Sequence, residues 1–320
     1  MSESKKNSPS VQFVDVASEF AGQRIDNFLL RHLKSAPKSY VYRVLRKGEV
    51  RVNKGRVKAQ YRLQAGDRIR IPPVRLDNRG PSPVPDNIRA RLRDAVVYED
   101  ERFLVLNKPS GVAVHGGSGV SVGVIETLRH LRPEERHLEL VHRLDRDTSG
   151  CLMISKRRSA LRVLHELMRD NRVDKRYLAL LAGSWRKGVQ RVDQPLKKNT
   201  LQGGERVVRV DPEGRASQTV FRRLERYDYA TLVEAELLSG RTHQIRVHSA
   251  WLGSPVLGDQ KYGDSELNKS MKDKGLRRLF LHAHQLKLVW PGERQSLVIQ
   301  APLPHDLQQV LENLKSSHEV

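Results

Sequence analysis

Nine consecutive residues near the middle of the chain carry a high density of reactive side chains. The segment His142–Gly150, with the sequence HRLDRDTSG, holds two carboxylates, two guanidinium groups, one imidazole and two hydroxyls. A connection between two strands needs only a few turn residues, so folding alone does not require these groups. An ordinary polar turn that ends at Gly150 is the simplest alternative. A carboxylate presented by a short loop on a rigid scaffold would be suited to nucleophilic catalysis.

The same segment resembles the signature of the RluA-type family of RNA pseudouridine synthases. Two later segments, KRYLAL from Lys175 and GRTHQIRVH from Gly240, resemble the second and third motifs of that family. The resemblance implies that Asp145 is the catalytic carboxylate. It also implies that Tyr177 lies against the substrate base and that Arg241 pairs with Asp145.

The resemblance assigns substrate contacts to further residues. It implies that Arg143 fills the space left by a flipped-out base, and that His142 supports the loop through hydrogen bonds. Thr148 and Leu281, the latter in the family-like segment LFLHA, are the other expected substrate contacts. Enzymes that act on a base in structured nucleic acid must first extrude that nucleotide from its stack.

The implied reaction explains why a carboxylate is needed and a cofactor is not. Pseudouridine formation breaks the bond from ribose to ring nitrogen, turns the uracil and rejoins it through a ring carbon, so the elements are unchanged. A carboxylate in a pocket closed to water needs a cationic partner to stay ionised. A glycosidase would instead need two separated carboxylates. His282 and His284 could form half of a metal site, but no third ligand has suitable spacing, so no metal is predicted.

Short apolar runs on both sides of the loop predict two buried strands, and they continue into a larger pattern. Strands are also predicted at 96–100, 103–109, 175–180, 219–221, 230–235 and 279–284, with helices at 125–131, 159–168 and 303–314. The predicted fold class is therefore α+β. The family resemblance implies a mixed α/β catalytic domain built on a large, mainly antiparallel sheet.

The first part of the chain is strongly basic and has its own pattern. The whole chain carries a formal net charge of +21, and residues 31–70 alone hold 13 basic and 2 acidic residues. A short strand is predicted at 11–16. Helices at 24–33 and 38–47, followed by a basic hairpin ending at Ile71, resemble the alpha-L RNA-binding motif named for small-subunit ribosomal protein S4. The resemblance points to RNA contacts by the following cationic residues: Lys38, Arg43, Arg46, Lys47, Arg51 and Lys54. A merely solvated basic surface is the alternative.

These observations predict the domain organisation and bound the class of protein. We expect an N-terminal arm at 1–21, an S4-like RNA-binding domain at 22–75, a proline-rich linker at 76–95 and the catalytic domain at 96–320. The sequence contains no run of 18 apolar residues, so no transmembrane helix is predicted. The single cysteine fits a reducing cytoplasm. RNA is the expected partner, with neither membrane nor DNA binding, and a monomer is expected.

Taken together, the sequence predicts a site-specific RNA pseudouridine synthase that uses no cofactor. Within the family, the resemblance is to members that modify uridines of 23S rRNA, either in a pre-ribosomal particle or in protein-poor RNA. The same chemistry on another structured RNA such as tRNA stays open. A non-catalytic ribosome-assembly factor and a glycosidase that releases uracil are the alternatives from other classes.

Overall fold

The fold is described from a computed structural model. It describes residues 10–315 except 34–35, 37, 74–83, 117–121, 187 and 201–205. The chain divides into two compact units, residues 1–81 and 82–320. Within the described ranges, no helix is both long and apolar enough to span a bilayer.

The first unit packs two helices on a small antiparallel sheet. Its elements are β1 (Gln12–Asp15), a short 3₁₀ turn (Ser18–Phe20), α1 (Ile25–His32), α2 (Lys38–Arg46), β2 (Arg51–Val52), β3 (Gly55–Arg56) and β4 (Arg68–Ile71). The strand order is β1-β4-β2-β3. Because β1 pairs with β4, residues 12–15 belong to this unit, whereas the sequence placed them in a separate arm.

The pattern of apolar residues explains why these elements form. Ile25, Phe28 and Leu29 are buried on one side of α1, and Val41, Val44 and Leu45 are buried on one side of α2. Alternate residues of β4 face the same core, since Ile69 and Ile71 are buried. The predicted helices and the final strand of this domain are thus confirmed.

The second unit is built from six helices and twelve strands in the described residues. They are α3 (Asp86–Arg93), β5 (Val96–Glu99), β6 (Phe103–Lys108), α4 (Val124–Leu131), β7 (Glu139–Leu140), β8 (Ser149–Ser155), α5 (Arg158–Arg169), β9 (Val173–Ala182), β10 (Val189–Asp193), β11 (Leu196–Thr200), β12 (Arg206–Val210), β13 (Gln218–Arg226), β14 (Ala230–Leu237), α6 (Gln244–Trp251), α7 (Ser265–Asp273), β15 (Leu281–Val289), β16 (Ser296–Gln300) and α8 (His305–Lys315).

A ten-stranded sheet dominates this unit. Its order is β10-β13-β14-β9-β15-β8-β6-β5, with β7 added beside β8 and β16 beside β15, while β11 and β12 form a separate hairpin. Every pairing in the large sheet is antiparallel except that of β15 with β8. The mixed α+β class and the large, mainly antiparallel sheet are confirmed.

The parallel contact between β8 and β15 lies where the reactive loop enters the sheet. Gly150 adopts φ +108°, and a Cβ at this position would lie 2.2 Å from the carbonyl oxygen of Ala283. Only glycine allows both this backbone conformation and this approach of the two strands. The end of the loop is therefore fixed by main-chain geometry.

Several elements depart from the sequence predictions. Residues 86–93 form helix α3, so the linker prediction is wrong there, and 74–83 lie outside the described residues. The strands β10, β11, β12 and β16 and the helices α6 and α7 were not predicted. Helix α6 carries no amphipathic signal, because its residues from Gln244 to Ser249 are all buried.

Candidate active site

Asp145 lies in the loop between β7 and β8 and faces a guanidinium group from α6. Its Oδ2 accepts a hydrogen bond from Arg246 Nη1 at 3.3 Å, and about a fifth of the Asp145 side chain (21%) stays exposed. The two residues are 101 positions apart in the sequence. The loop thus presents an ionisable oxygen that is both paired with a cation and open to a ligand.

A second carboxylate holds Arg246 in place. Asp259 accepts two hydrogen bonds from the guanidinium of Arg246, at 2.7 and 2.8 Å, and two more from the backbone N–H groups of Lys261 and Tyr262. Burial alone would raise the pKa of Asp259, but these four donors hold it below its ordinary value. The bidentate pair fixes the plane of the guanidinium, which leaves Nη1 directed at Asp145.

The structure corrects the predicted partner of Asp145. Arg241 lies in the exposed turn before α6, and its Nε donates to the carbonyl oxygen of Ala216 at 3.1 Å. The pairing assigned to Arg241 is therefore made by Arg246 of the same motif. The physical reason is the start of α6 at Gln244, which directs the third helical residue toward the loop.

His243 precedes α6 and is a further neighbour of Asp145 that the sequence reasoning missed. Its Nε2 lies 3.7 Å from Asp145 Oδ2, and its Nδ1 is 2.7 Å from the hydroxyl of Tyr262. That hydroxyl accepts a hydrogen bond from the N–H of Val208. Its own proton is then directed at Nδ1, which places the ring proton of His243 on Nε2, toward Asp145. Burial lowers the pKa of His243, so the ring faces the carboxylate as a neutral donor.

Tyr177 of β9 lies in the wall of the cavity that contains Asp145. The side chain is 92% buried, and burial together with the nearby charge of Asp145 raises the pKa of its hydroxyl above its ordinary value. Among the described residues, the hydroxyl has no hydrogen-bond partner. A protonated phenol whose hydroxyl makes no hydrogen bond to the described residues can interact with a bound base.

One cavity of about 220 Å³ is lined by all seven catalytic-domain residues that the sequence singled out. They are His142, Arg143, Asp145, Thr148, Tyr177, Arg241 and Leu281. Thr148 and Leu281 are buried in its wall, whereas Arg143 is exposed and borders a second groove as well. Asp145 is the only carboxylate among the described residues that line the cavity.

The side chains of His142 and Lys108 hold the main chain of the loop in place. His142 Nε2 accepts a hydrogen bond from the N–H of Met153, and burial lowers the pKa of the ring to about 4, so it stays neutral. Lys108 is fully buried and donates to the carbonyl oxygens of Pro109, Val112 and Arg146. Burial lowers its pKa to about 7. These contacts fix the main chain on both sides of Asp145.

Asp147 differs from Asp145 in direction and partner. Its carboxylate pairs with the neighbouring Arg146 at 3.1 Å, and its side chain is 48% exposed. It is absent from the lining of the 220 Å³ cavity, but it lines the adjoining groove together with Asp145 and Asp259. The main chain at Asp147 is held by Ser110, whose Oγ donates to the carbonyl oxygen of Asp147.

The two histidines considered as half of a metal site have other partners. The ring of His282 contacts Ser149 Oγ at 3.0 Å and the carbonyl oxygen of Ala301 at 3.1 Å, whereas His284 faces Glu234 at 3.3 Å. No cluster of three or more His, Cys, Asp or Glu side chains in the described ranges is arranged to hold a metal ion.

The basic residues singled out in the first unit occupy two places. Arg43 and Arg46 lie exposed on α2, with the Arg43 guanidinium 4.9 Å from the ring centre of Tyr40. Lys47, Arg51 and Lys54 line a groove over the small sheet. The side chain of Lys38, the first residue of α2, lies outside the described part of the structure.

Comparisons with known proteins agree with this geometry. The profile of the RNA pseudouridylate synthase family matches residues 102–251, and that of the S4 domain matches residues 23–69. The chain is 54% identical to ribosomal large subunit pseudouridine synthase C of Escherichia coli, over 98% of this chain and 99% of the relative. The protein of the same name from Pasteurella multocida is 52% identical, over 96% of this chain and 94% of that relative.

Solved structures extend the likeness to the fold. Human RNA pseudouridylate synthase domain containing 4 superposes with a TM-score of 0.60 at 27% identity, covering 72% of this chain and 96% of that chain. Human RNA pseudouridylate synthase domain containing 1 gives 0.55 at 26% identity, covering 69% and 94%. With its signature loop, its single-carboxylate cavity and relatives identical over more than half of their positions, this chain belongs to the RNA pseudouridylate synthase family.

Proposed function

We propose that this protein isomerises specific uridines of 23S rRNA to pseudouridine, with Asp145 as the reacting carboxylate. The observation that carries the proposal is the 220 Å³ cavity, in which Asp145 is the only carboxylate among the described lining residues and is held by Arg246. The names of the relatives, which are synthases of the large ribosomal subunit, support the choice of RNA.

The proposed chemistry uses one carboxylate because the same two fragments separate and rejoin. Asp145 attacks either the ribose carbon or the uracil ring, and the bond between ring nitrogen and ribose breaks. The uracil turns within the cavity, and its ring carbon forms the new bond to ribose. The proton on that carbon leaves, the freed nitrogen gains one, and Asp145 is released unchanged. Since atoms and electrons balance, the reaction requires no cofactor.

Charged and aromatic groups around Asp145 have matching roles in this scheme. Arg246 keeps the carboxylate ionised, and Tyr177 packs against the extruded uracil and is placed to assist proton removal from the ring carbon. Exposed Arg143, at the mouth of the cavity, fills the gap that the base leaves in the RNA. Thr148 and Leu281 shape the wall against which the uracil turns.

The basic first unit would anchor the RNA without taking part in the chemistry. Arg43, Arg46 and Lys47 are exposed cations suited to phosphate contacts, which position an RNA but do not read its sequence. We propose that the protein acts in the cytoplasm as a monomer, on rRNA that is free of many ribosomal proteins or within an assembling particle.

Mapping pseudouridines by carbodiimide modification tests the proposal. Ribosomal RNA from cells that lack the protein is compared with RNA from cells that carry Asp145→Asn. The same few sites in 23S rRNA should lose pseudouridine in both strains, while purified Asp145→Asn protein still binds RNA. Retained pseudouridine at every 23S site in both strains would contradict the proposal.

Two other outcomes separate the alternatives. Loss of pseudouridine from tRNA instead of 23S rRNA would keep the chemistry and change the substrate. Release of free uracil, with abasic sites in the RNA, would indicate a glycosidase. A glycosidase needs a second carboxylate across the scissile bond, and none of the described residues that line the 220 Å³ cavity provides one. The two other carboxylates of the adjoining groove are already paired, Asp147 with Arg146 and Asp259 with Arg246, which argues against hydrolysis.

A further inference from the structure

The solvent face of the small sheet carries an aromatic ring and three arginines in one row. Phe13 lies opposite Arg70, Arg70 lies opposite Arg51, and Arg51 lies opposite Arg56. Directly opposed residues project from the same face of a sheet, so the four side chains cross all four strands side by side. With strands about 4.8 Å apart, the row spans about 14 Å.

The opposite face of the same strands packs on the helices, which leaves the face with the row open to solvent. Val52, Ile69 and Ile71 alternate with the arginines of β2 and β4 and are buried against α1 and α2. The row itself is exposed at Phe13, Arg51 and Arg56 and half-buried at Arg70. The domain thus buries one side of its sheet and presents the other as a cationic surface.

Phe13 contributes little to the core of its domain. Its ring is 58% exposed, and the guanidinium of Arg68 lies 5.2 Å from the ring centre. A guanidinium next to an aromatic ring is also the arrangement with which proteins hold unpaired bases, through stacking and cation–π contacts. The ring is therefore available for a further stacking partner.

No carboxylate in the described part of the chain pairs with the arginines of the row. Arg70 donates to the carbonyl oxygen of Glu49, and Arg51 donates to those of Gly48 and Lys54. These bonds set the direction of the side chains without neutralising them. Within the described residues, no carboxylate lies within 4 Å of the guanidinium groups of Arg51, Arg56 or Arg70, whereas the adjacent Arg68 has a long contact of 3.8 Å to Asp15.

Such a row is unfavourable for folding by itself. Like charges placed directly opposite each other destabilise a sheet, and an anion bound over them removes that repulsion. Lys47 and Lys54 line the same groove and add to its positive charge, against the single carboxylate of Glu49. Charge complementarity therefore selects a polyanion as the occupant, and the exposed ring selects one that carries flat, unpaired bases.

We propose that this row binds a single-stranded segment of the RNA substrate, with phosphates on Arg51, Arg56 and Arg70 and one unpaired base stacked on Phe13. The identification of the polyanion as RNA rests on the proposed function, whereas the site itself rests on the register of the sheet. It lies on a different face from Arg43 and Arg46 of α2, so the first unit would hold RNA by two surfaces.

Binding of labelled RNA by the full-length protein tests the site, in an Asp145→Asn background that prevents turnover. The probes are a single-stranded oligouridylate of about twelve nucleotides and an RNA duplex of similar length. Phe13→Ala should weaken binding of the oligouridylate about tenfold and binding of the duplex less than twofold, because only unpaired bases can stack. Phe13→Trp should restore the affinity.

Neutralising the row should change the salt dependence. In the variant with Arg51, Arg56 and Arg70 all changed to Gln, the slope of log affinity against log salt should fall by about 2, at about 0.7 per phosphate contact. Arg62→Gln, an exposed arginine outside the four strands, and Leu224→Ala, an exposed apolar residue of the second unit, are the matched controls. The triple variant should melt no lower than the parent, since it removes repulsion between opposed cations.

Three results would overturn the site. One is an equal loss of single-stranded and duplex binding in Phe13→Ala, and another is an unchanged salt slope in the triple variant. The third is competition by polyglutamate that depends on Phe13 as strongly as oligouridylate binding does, which would indicate an acidic protein partner. Failure of the proposed function has a separate signature. Wild-type protein would then form no pseudouridine in 23S rRNA, although the dependence of RNA binding on Phe13 and the arginine row would remain.

Discussion

Replacing Arg246 tests whether the pair with Asp145 has been assigned to the correct arginine. Arg246→Gln removes two hydrogen bonds of 2.7 and 2.8 Å to Asp259, whose side chain is 0% exposed. Removing one partner of a buried ion pair costs about 3–5 kcal/mol. Because two backbone N–H groups still donate to Asp259, we expect about 3 kcal/mol, the lower end of that range.

The expected changes in melting temperature and activity follow from this value. A loss of about 3 kcal/mol in a unit of this size lowers the melting temperature by about 6–12 °C. Removal of the cation that faces Asp145 should lower kcat/KM by about 100-fold, as for other preorganised electrostatic contacts. Thermal unfolding measures the first effect, and release of tritium from RNA labelled on ring carbon 5 of uracil measures the second.

Arg241→Gln is the matched control, because it changes the same residue type five positions away. Its guanidinium is exposed and makes one hydrogen bond to a backbone carbonyl, so the free energy of unfolding should change by about 0.5 kcal/mol or less. Combining Arg246→Gln with Asp259→Asn should recover most of the lost stability, because two amides replace the broken pair. It should not recover activity, because Asp145 still lacks its cation.

Two results would refute this reasoning. One is a loss of kcat/KM in Arg241→Gln as large as that in Arg246→Gln, which would return the catalytic pair to Arg241. The other is recovery of activity together with stability in the double variant, which would reduce Arg246 to a structural role.

Three further predictions concern the cavity and its support. Tyr177→Phe should keep the cavity intact but slow tritium release if the phenol assists proton removal, and an unchanged rate of release would exclude that role. His142 has a pKa of about 4 in the folded protein against 6.5 ordinarily, so it contributes a loss of about 3 kcal/mol of stability as pH decreases from 6.5 to 4. His142→Gln should remove that contribution in urea unfolding, while the contribution of His282, whose pKa burial also lowers to about 4, remains. Lys108→Met should cost about 3 kcal/mol in the same assay, because one buried and two partly buried carbonyl oxygens lose their donor, and wild-type stability would contradict this account.

Local patterns predicted much of the fold because burial repeats with the period of each element. Helix α5 shows this, since Ala160, Leu164 and Leu167 are buried on one side and the charged residues lie on the other. Strand β8 was predicted from its apolar run, and all seven of its residues are buried. The same rule fails for α6, because residues 244–249 are buried on all sides and show no periodic contrast.

The candidate site could be predicted as a set of residues but not as a set of contacts. Motif resemblance identified seven side chains, and the fold brings all of them to one cavity. It did not show which arginine reaches Asp145, because that depends on where α6 begins and on Asp259, which no motif had drawn attention to. Contacts between residues about a hundred positions apart depend on the fold and cannot be inferred from spacing.

The turn before α6 shows why local rules fail at this position. His243, the residue immediately before the helix, adopts φ +54°, a left-handed conformation that non-glycine residues rarely occupy. Such strain persists only where surrounding contacts fix it, and here the hydroxyl of Tyr262 holds Nδ1 while Nε2 faces Asp145. A sequence rule that scores each residue for its preferred backbone would reject this turn. The strained turn is nevertheless what sets the direction of α6 and thereby places Arg246 against Asp145.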